Sequence, residues 1–76
     1  MVINTNIMDI LMARQLMSNQ ELITQAGISN SVYYKRVKHN KDVSPVIAGK
    51  ISYALHTDIS NIITTGEAEH KINDSI

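Results

Sequence analysis

Four side chains in one short stretch have types and a spacing suited to recognition. Asn30, Ser31, Tyr34 and Lys35 recur at i, i+1, i+4 and i+5, which puts them on one side of a helix. An asparagine amide offers a donor beside an acceptor, a lysine ammonium donates, and hydroxyls do either. That is hydrogen-bond chemistry rather than bond-making chemistry. The chain shows no nucleophile elbow, no phosphate loop and no paired carboxylates in a plausible pocket, so no enzyme is expected. His39, His56 and His70 are far apart and lack ligand spacing, so neither a metal nor a cofactor is expected. There is no cysteine, which excludes a disulfide or a thiolate site and fits a reducing cytoplasm. Asn73-Asp74-Ser75 matches a glycosylation sequon, which carries no weight without a secretion signal.

Charge is unevenly spread along a chain whose net charge is zero. Residues 29–43 carry Lys35, Arg36, Lys38 and Lys41 against Asp42, a net of +3. Residues 1–28 total −1 and residues 44–76 total −2. The basic residues thus coincide with the recognition stretch, although a solvated helix face would look the same. No apolar run approaches the roughly 18 residues of a membrane span. The N-terminus lacks the basic flank and cleavage site of a signal peptide. Seventy-six residues make one domain, and a chain this short buries only about 60–65% of its unfolded surface.

The elements that must position these residues lie between Ser18 and Lys38. Ser18-x-x-Glu21 is a capping box that starts a helix with Leu22, Ile23 and Ala26 on its apolar side. Gly27 is placed to stop it in a left-handed turn, and Ile28 to plug the corner. Ser29 caps a second helix whose inward residues are Tyr33 and Val37. A helix, a glycine turn and a second helix form the DNA-reading helix-turn-helix, whose second helix enters the major groove.

Ser18 to Thr65 resembles the helix-turn-helix domain of the phage repressor and Cro-type regulator family. The matching residues are Ser18-Asn19-Gln20-Glu21-Leu22, Ala26-Gly27-Ile28-Ser29, Ser44-Pro45, Ile51, Ala54-Leu55 and Ile62-Ile63, with Ile7 and Leu11 of the first helix. The resemblance implies an all-α, lambda-repressor-like domain of five short helices that works as a homodimer on double-stranded operator DNA. It also implies base contacts from Asn30, Ser31 and Lys35, to which Tyr34 is added as a thymine-methyl or phosphate contact. Three positions depart from the family pattern. Ile23 stands where alanine is usual, and Tyr33 and Arg36 each where an aliphatic residue is usual, with Val37 following Arg36. A second helix rotated or longer than usual would follow from these changes.

Phosphate contacts are expected from the start of the first motif helix, where Ser18, Asn19 and Gln20 offer free N–H groups. Asn19 occupies the position where the family carries a glutamine. Lys38, Asn40 and Lys41 are expected to clamp the other side of the groove; such contacts fix register without reading sequence.

Elsewhere, Met1 to Asn4 reads as a short lead, and Asn4 or Thr5 as the cap of a first helix running to about Leu16. Ile7, Ile10 and Leu11 face inward there, with Met8 and Met12 filling gaps in the core on one flank. Residues 38–43 form a polar loop. Ser44-Pro45 opens a fourth helix with a buried stripe of Ile47, Ile51 and Leu55, and with Gly49 on the exposed side. Thr57 or Asp58 caps a fifth helix carrying Ile59, Ile62 and Ile63 and ended by Gly66. The DNA-binding domain is thus residues 1–66 and the polar tail residues 67–76. Ile59, Ile62, Ile72 and Ile76 are the expected dimer contacts.

The leading expectation is a sequence-specific transcriptional regulator that occupies an operator in the cytoplasm of a bacterium, with no membrane association. Two other readings stay open. One is a protein-interaction module, an anti-repressor or modulator that pairs with a repressor protein. The other is the antitoxin of a toxin–antitoxin pair, which shares the DNA-binding fold.

Overall fold

The structure is a computed structural model that describes residues 1–64. Helix α1 spans Thr5–Arg14. Its cap is Asn4, whose side-chain oxygen accepts from the backbone N–H groups of Asn6 (3.1 Å) and Ile7 (3.3 Å). The helix stops two residues short of Leu16, which takes a positive φ of 53°. Met8 and Met12 are buried, Ile7 and Leu11 are half-buried, and Ile10 is 54% exposed. The expected inward stripe is therefore corrected. With about 100° of turn per residue, a buried line through Met8 and Met12 leaves Ile10 on the far side. The flexible thioethers fill the irregular space that branched Ile10 was expected to take.

Helix α2 spans Asn19–Ala26, and its capping box is complete. The Ser18 hydroxyl accepts from the Glu21 N–H at 3.1 Å, and the Glu21 carboxylate accepts from the Ser18 N–H at 2.8 Å. Leu22, Ile23 and Ala26 are all buried. Gly27 terminates the helix at φ 72°, where any side chain would be strained although no neighbour crowds the position. Ile28 packs half-buried on the core at the corner.

Ser29 caps α3, Asn30–Val32, by accepting from the Val32 N–H at 3.0 Å. The helix continues without a break into a π-helical turn, Tyr33–Val37, closed by the Lys38 N–H donating to the Tyr33 carbonyl at 2.9 Å. The wider turn keeps both Tyr33 (0% exposed) and Val37 (1%) in the core and leaves Arg36 in solvent.

Helix α4, Pro45–Ala54, starts on Ser44, whose hydroxyl accepts from the Ile47 N–H at 3.2 Å. Ile51 and Leu55 are buried and Ile47 is half-buried, with Ala48, Ser52 and Ala54 filling the rest of the inward face. Gly49 is half-buried rather than exposed, with open space where a Cβ would sit. Helix α2 packs directly on α4, and the Gln15 amide ties the end of α1 to the end of α4 by donating to the Leu55 carbonyl at 2.8 Å.

The expected fifth helix is a single 3-10 turn, Ile59–Asn61, so the described residues hold four helices and that turn. Asp58 caps it by accepting from the Ser60 hydroxyl and, at 3.0 Å, from the Ser60 N–H. Those two bonds, the hydroxyl foremost, hold the Asp58 carboxyl below the usual carboxylate range. Two effects stop the turn from propagating. The run Ile59, Ile62, Ile63 and Thr64 is β-branched and loses side-chain freedom in a helix. Ile62 also turns into the core, and Ile63 pairs with Ile3 instead. Gly66 and the tail lie outside the described residues.

The first four residues are a strap rather than a lead. The Asn4 N–H donates to the Ile62 carbonyl (2.6 Å), the Thr64 N–H to Val2 (2.7 Å) and the Val43 N–H to Met1 (2.6 Å). Isolated antiparallel bridges join Val2 to Asp42 and Ile3 to Ile63, and the Met1 ammonium donates to the Asp42 carboxylate at 2.5 Å. Within this strap Ile3 is fully buried, and Val43 from the otherwise polar 38–43 loop is buried too.

Candidate nucleic-acid interface

Asn30, Ser31, Tyr34 and Lys35 are all exposed on the outer side of α3 and its π-turn. Lys35 and Lys41 are exposed and form no ion pair among the described residues. Tyr34 is 44% exposed, and the edge of one ring meets the face of the other between Tyr34 and Tyr33, centroids 5.1 Å apart. This T-shaped contact holds Tyr34 against the helix beneath it.

The expected phosphate contacts divide. The Asn19 and Gln20 backbone N–H groups have no acceptor within α2, as at any helix start. Ser18 differs from its expectation: its N–H and its hydroxyl are both engaged with Glu21 in the capping box. Lys38 differs too. Its ammonium lies 3.9 Å from the Asp9 carboxylate and 5.8 Å from the Tyr33 ring centre, so it is drawn onto α1 rather than standing free beside Lys41. Asn40 takes a left-handed φ of 56°, which asparagine tolerates, and its side-chain oxygen accepts from the Thr5 hydroxyl at 3.4 Å.

One contact went unforeseen. The Tyr33 hydroxyl donates to the Asn19 side-chain oxygen at 2.7 Å, bridging α3 and α2. The sequence held a signal for it, because a phenol at an inward helix position must find a polar partner. Burial, with smaller contributions from the Asp9 charge and from Tyr34, pushes the Tyr33 hydroxyl up to about 12.

Of the expected dimer contacts, Ile62 is corrected: it is fully buried in the chain's own core and offers no surface to a partner. Ile59 is half-buried against that core, and Ile72 and Ile76 lie outside the described residues. Apolar side chains do reach solvent elsewhere. Val46 (64% exposed) and Tyr53 (83%) stand seven residues apart on the outer face of α4, and Leu16 is 89% exposed. An open groove of about 380 Å³ runs between α3 and α4, lined by Val32, Arg36, Asp42, Val43, Ser44 and Ile47. It holds no nucleophile beside a base: Ser44 is committed to capping α4, and Arg36 donates to the Asp42 carbonyl at 3.2 Å. No helix among the described residues is long and apolar enough to cross a membrane.

Comparison with family models, curated proteins and solved structures finds no match to this chain.

Proposed function

We propose that this chain is a sequence-specific DNA-binding regulator of the helix-turn-helix, phage repressor and Cro type, acting as a homodimer on operator DNA. One observation carries the reading. A left-handed glycine after α2 leads into a helix whose outward side chains are an asparagine, a serine, a tyrosine and a lysine, all exposed. Asn30 would pair with an adenine edge and Lys35 with guanine acceptors in the major groove. The free N–H groups of Asn19 and Gln20, with Lys41, would fix the helix on the phosphates. One such module touches too few bases for tight specific binding, so two copies with recognition helices about 34 Å apart are required.

The test is fluorescence anisotropy on duplexes selected from a randomised pool, titrated with salt. Binding should prefer the selected duplex and weaken steeply as salt rises. Lys35→Ala should cost about 1–3 kcal/mol on the selected duplex and little on a scrambled one. Equal loss on both would remove Lys35 from base reading, and no duplex binding at low salt would end the proposal. Sedimentation should show a dimer on DNA, and a monomer at saturation would refute the two-copy mechanism.

A second reading is favoured by exposed Val46 and Tyr53 on α4 and by zero net charge. In it, the chain is a modulator that pairs with a repressor protein through an apolar helix face. It predicts no sequence preference among duplexes, and binding to a repressor protein that is lost when Tyr53 is replaced by a polar residue.

A further inference from the structure

We infer that Tyr33 is a positioning residue of the interface proposed above: its hydroxyl holds Asn19 so that the amide NH2 faces outward as a donor for a DNA phosphate. The inference rests on the DNA-binding reading and deepens it.

The argument starts from what a buried phenol needs. Tyr33 is fully covered, and its hydroxyl has two neighbours, the Asn19 side-chain oxygen at 2.7 Å and the Met12 sulfur at 3.8 Å. A thioether is a weak acceptor, so the amide oxygen takes the proton. Burial keeps the hydroxyl protonated at neutral pH, so that proton is always there to be donated. With the sulfur too weak an acceptor to compete, donation to Oδ1 decides which way the amide is turned. Asn19 then presents its oxygen to the hydroxyl, which leaves its two N–H donors without a hydrogen-bond partner among the described residues. Such an NH2 beside the free N–H groups of a helix start favours an acceptor, as a phosphate oxygen is.

Tyr33 also reaches the rest of the interface. Its ring supports Tyr34 edge-on and lies under the Lys38 ammonium. A single buried side chain thus contacts one proposed base reader and two residues expected at the backbone. An aliphatic residue at this position could fill the core but could not turn Asn19.

Tyr33→Phe isolates the hydroxyl, since it keeps the ring, the volume and both aromatic contacts. Urea unfolding would establish that the variant is folded. Anisotropy on the selected and scrambled duplexes should show both bound roughly fivefold more weakly, because a phosphate contact carries no sequence information. The salt slope should stay at its wild-type value, because a neutral amide releases no counterion. In an Asn19→Ala background, Tyr33→Phe should add nothing further. Asn19→Asp, which keeps the acceptor but replaces the outward donor by an anion, should bind more weakly than Asn19→Ala. The Asn19 side-chain amide resonances of the free protein should also move in Tyr33→Phe, a change that loss of packing elsewhere would not produce.

Wild-type affinity in Tyr33→Phe, with Lys35→Ala still impaired, overturns this inference and leaves the regulator reading standing. A Tyr33→Phe effect that persists undiminished without Asn19 also overturns it, by placing the effect in packing. Failure of the wild-type chain to bind any duplex removes both.

Discussion

Replacing Leu22 by alanine is expected to destabilise the domain by about 3 kcal/mol and to lower its melting temperature by roughly 12–24 °C. Leu22 is fully buried on α2, the helix that packs directly on α4. Truncation removes three carbons from a fully buried site, and the cavity left behind adds to the lost transfer energy. A chain of 76 residues is expected to have a total stability of about 4–11 kcal/mol, so one such change removes a large share of it. Thermal and urea unfolding followed by circular dichroism would measure the loss. A melting shift below about 3 °C would mean that Leu22 is not the core residue described here.

The second large effect is at the other end of the packing. A chain beginning at Thr5 is expected to lose at least about 4 kcal/mol, a third or more of the total, and to unfold at a much lower urea concentration. Burial of Ile3 accounts for about 3 kcal/mol of this, by the usual cost of an isoleucine truncated in a core. The Asn4 cap of α1 adds about 1 kcal/mol. The Ile62 and Val43 strap bonds go as well. Ile3→Val separates packing from the strap itself, since it keeps every backbone bond and should cost only about 1 kcal/mol. Urea unfolding of both variants tests this. A truncated chain as stable as the intact one would show that residues 1–4 do not pair with 42–43 and 62–64.

Local chemistry made much of this protein legible in its residues. Capping boxes, a left-handed glycine and a proline at a helix start act within a few residues, so Ser18, Gly27, Ser29 and Ser44-Pro45 mark their boundaries in sequence. Strong apolar spacing did the same for Leu22, Ile23 and Ala26, and for Ile51 and Leu55. The outward placement of Asn30, Ser31, Tyr34 and Lys35 followed from Ser29 and from the inward pair Tyr33 and Val37.

What escaped the sequence depends on partners distant along the chain. Nothing near Ile3 says that it will be covered, because its partners arrive some 60 residues later at Ile62 and Ile63. The same pairing converted an expected helix at Ile59 into one 3-10 turn and drew Ile62 out of a supposed dimer face. Rotation of α1 onto Met8 and Met12 was set by which neighbours cover it, which periodicity alone does not fix. Lys38 was turned to Asp9, and Asn19 to Tyr33, by two elements meeting side by side. Sequence thus determined where this chain's helices start, where its central turn lies and which residues α3 shows to solvent, because those are short-range steric and hydrogen-bonding choices. Only the tertiary structure decided which apolar residues are spent on the core and which polar ones stay free, because both depend on what a residue meets once the chain has closed on itself.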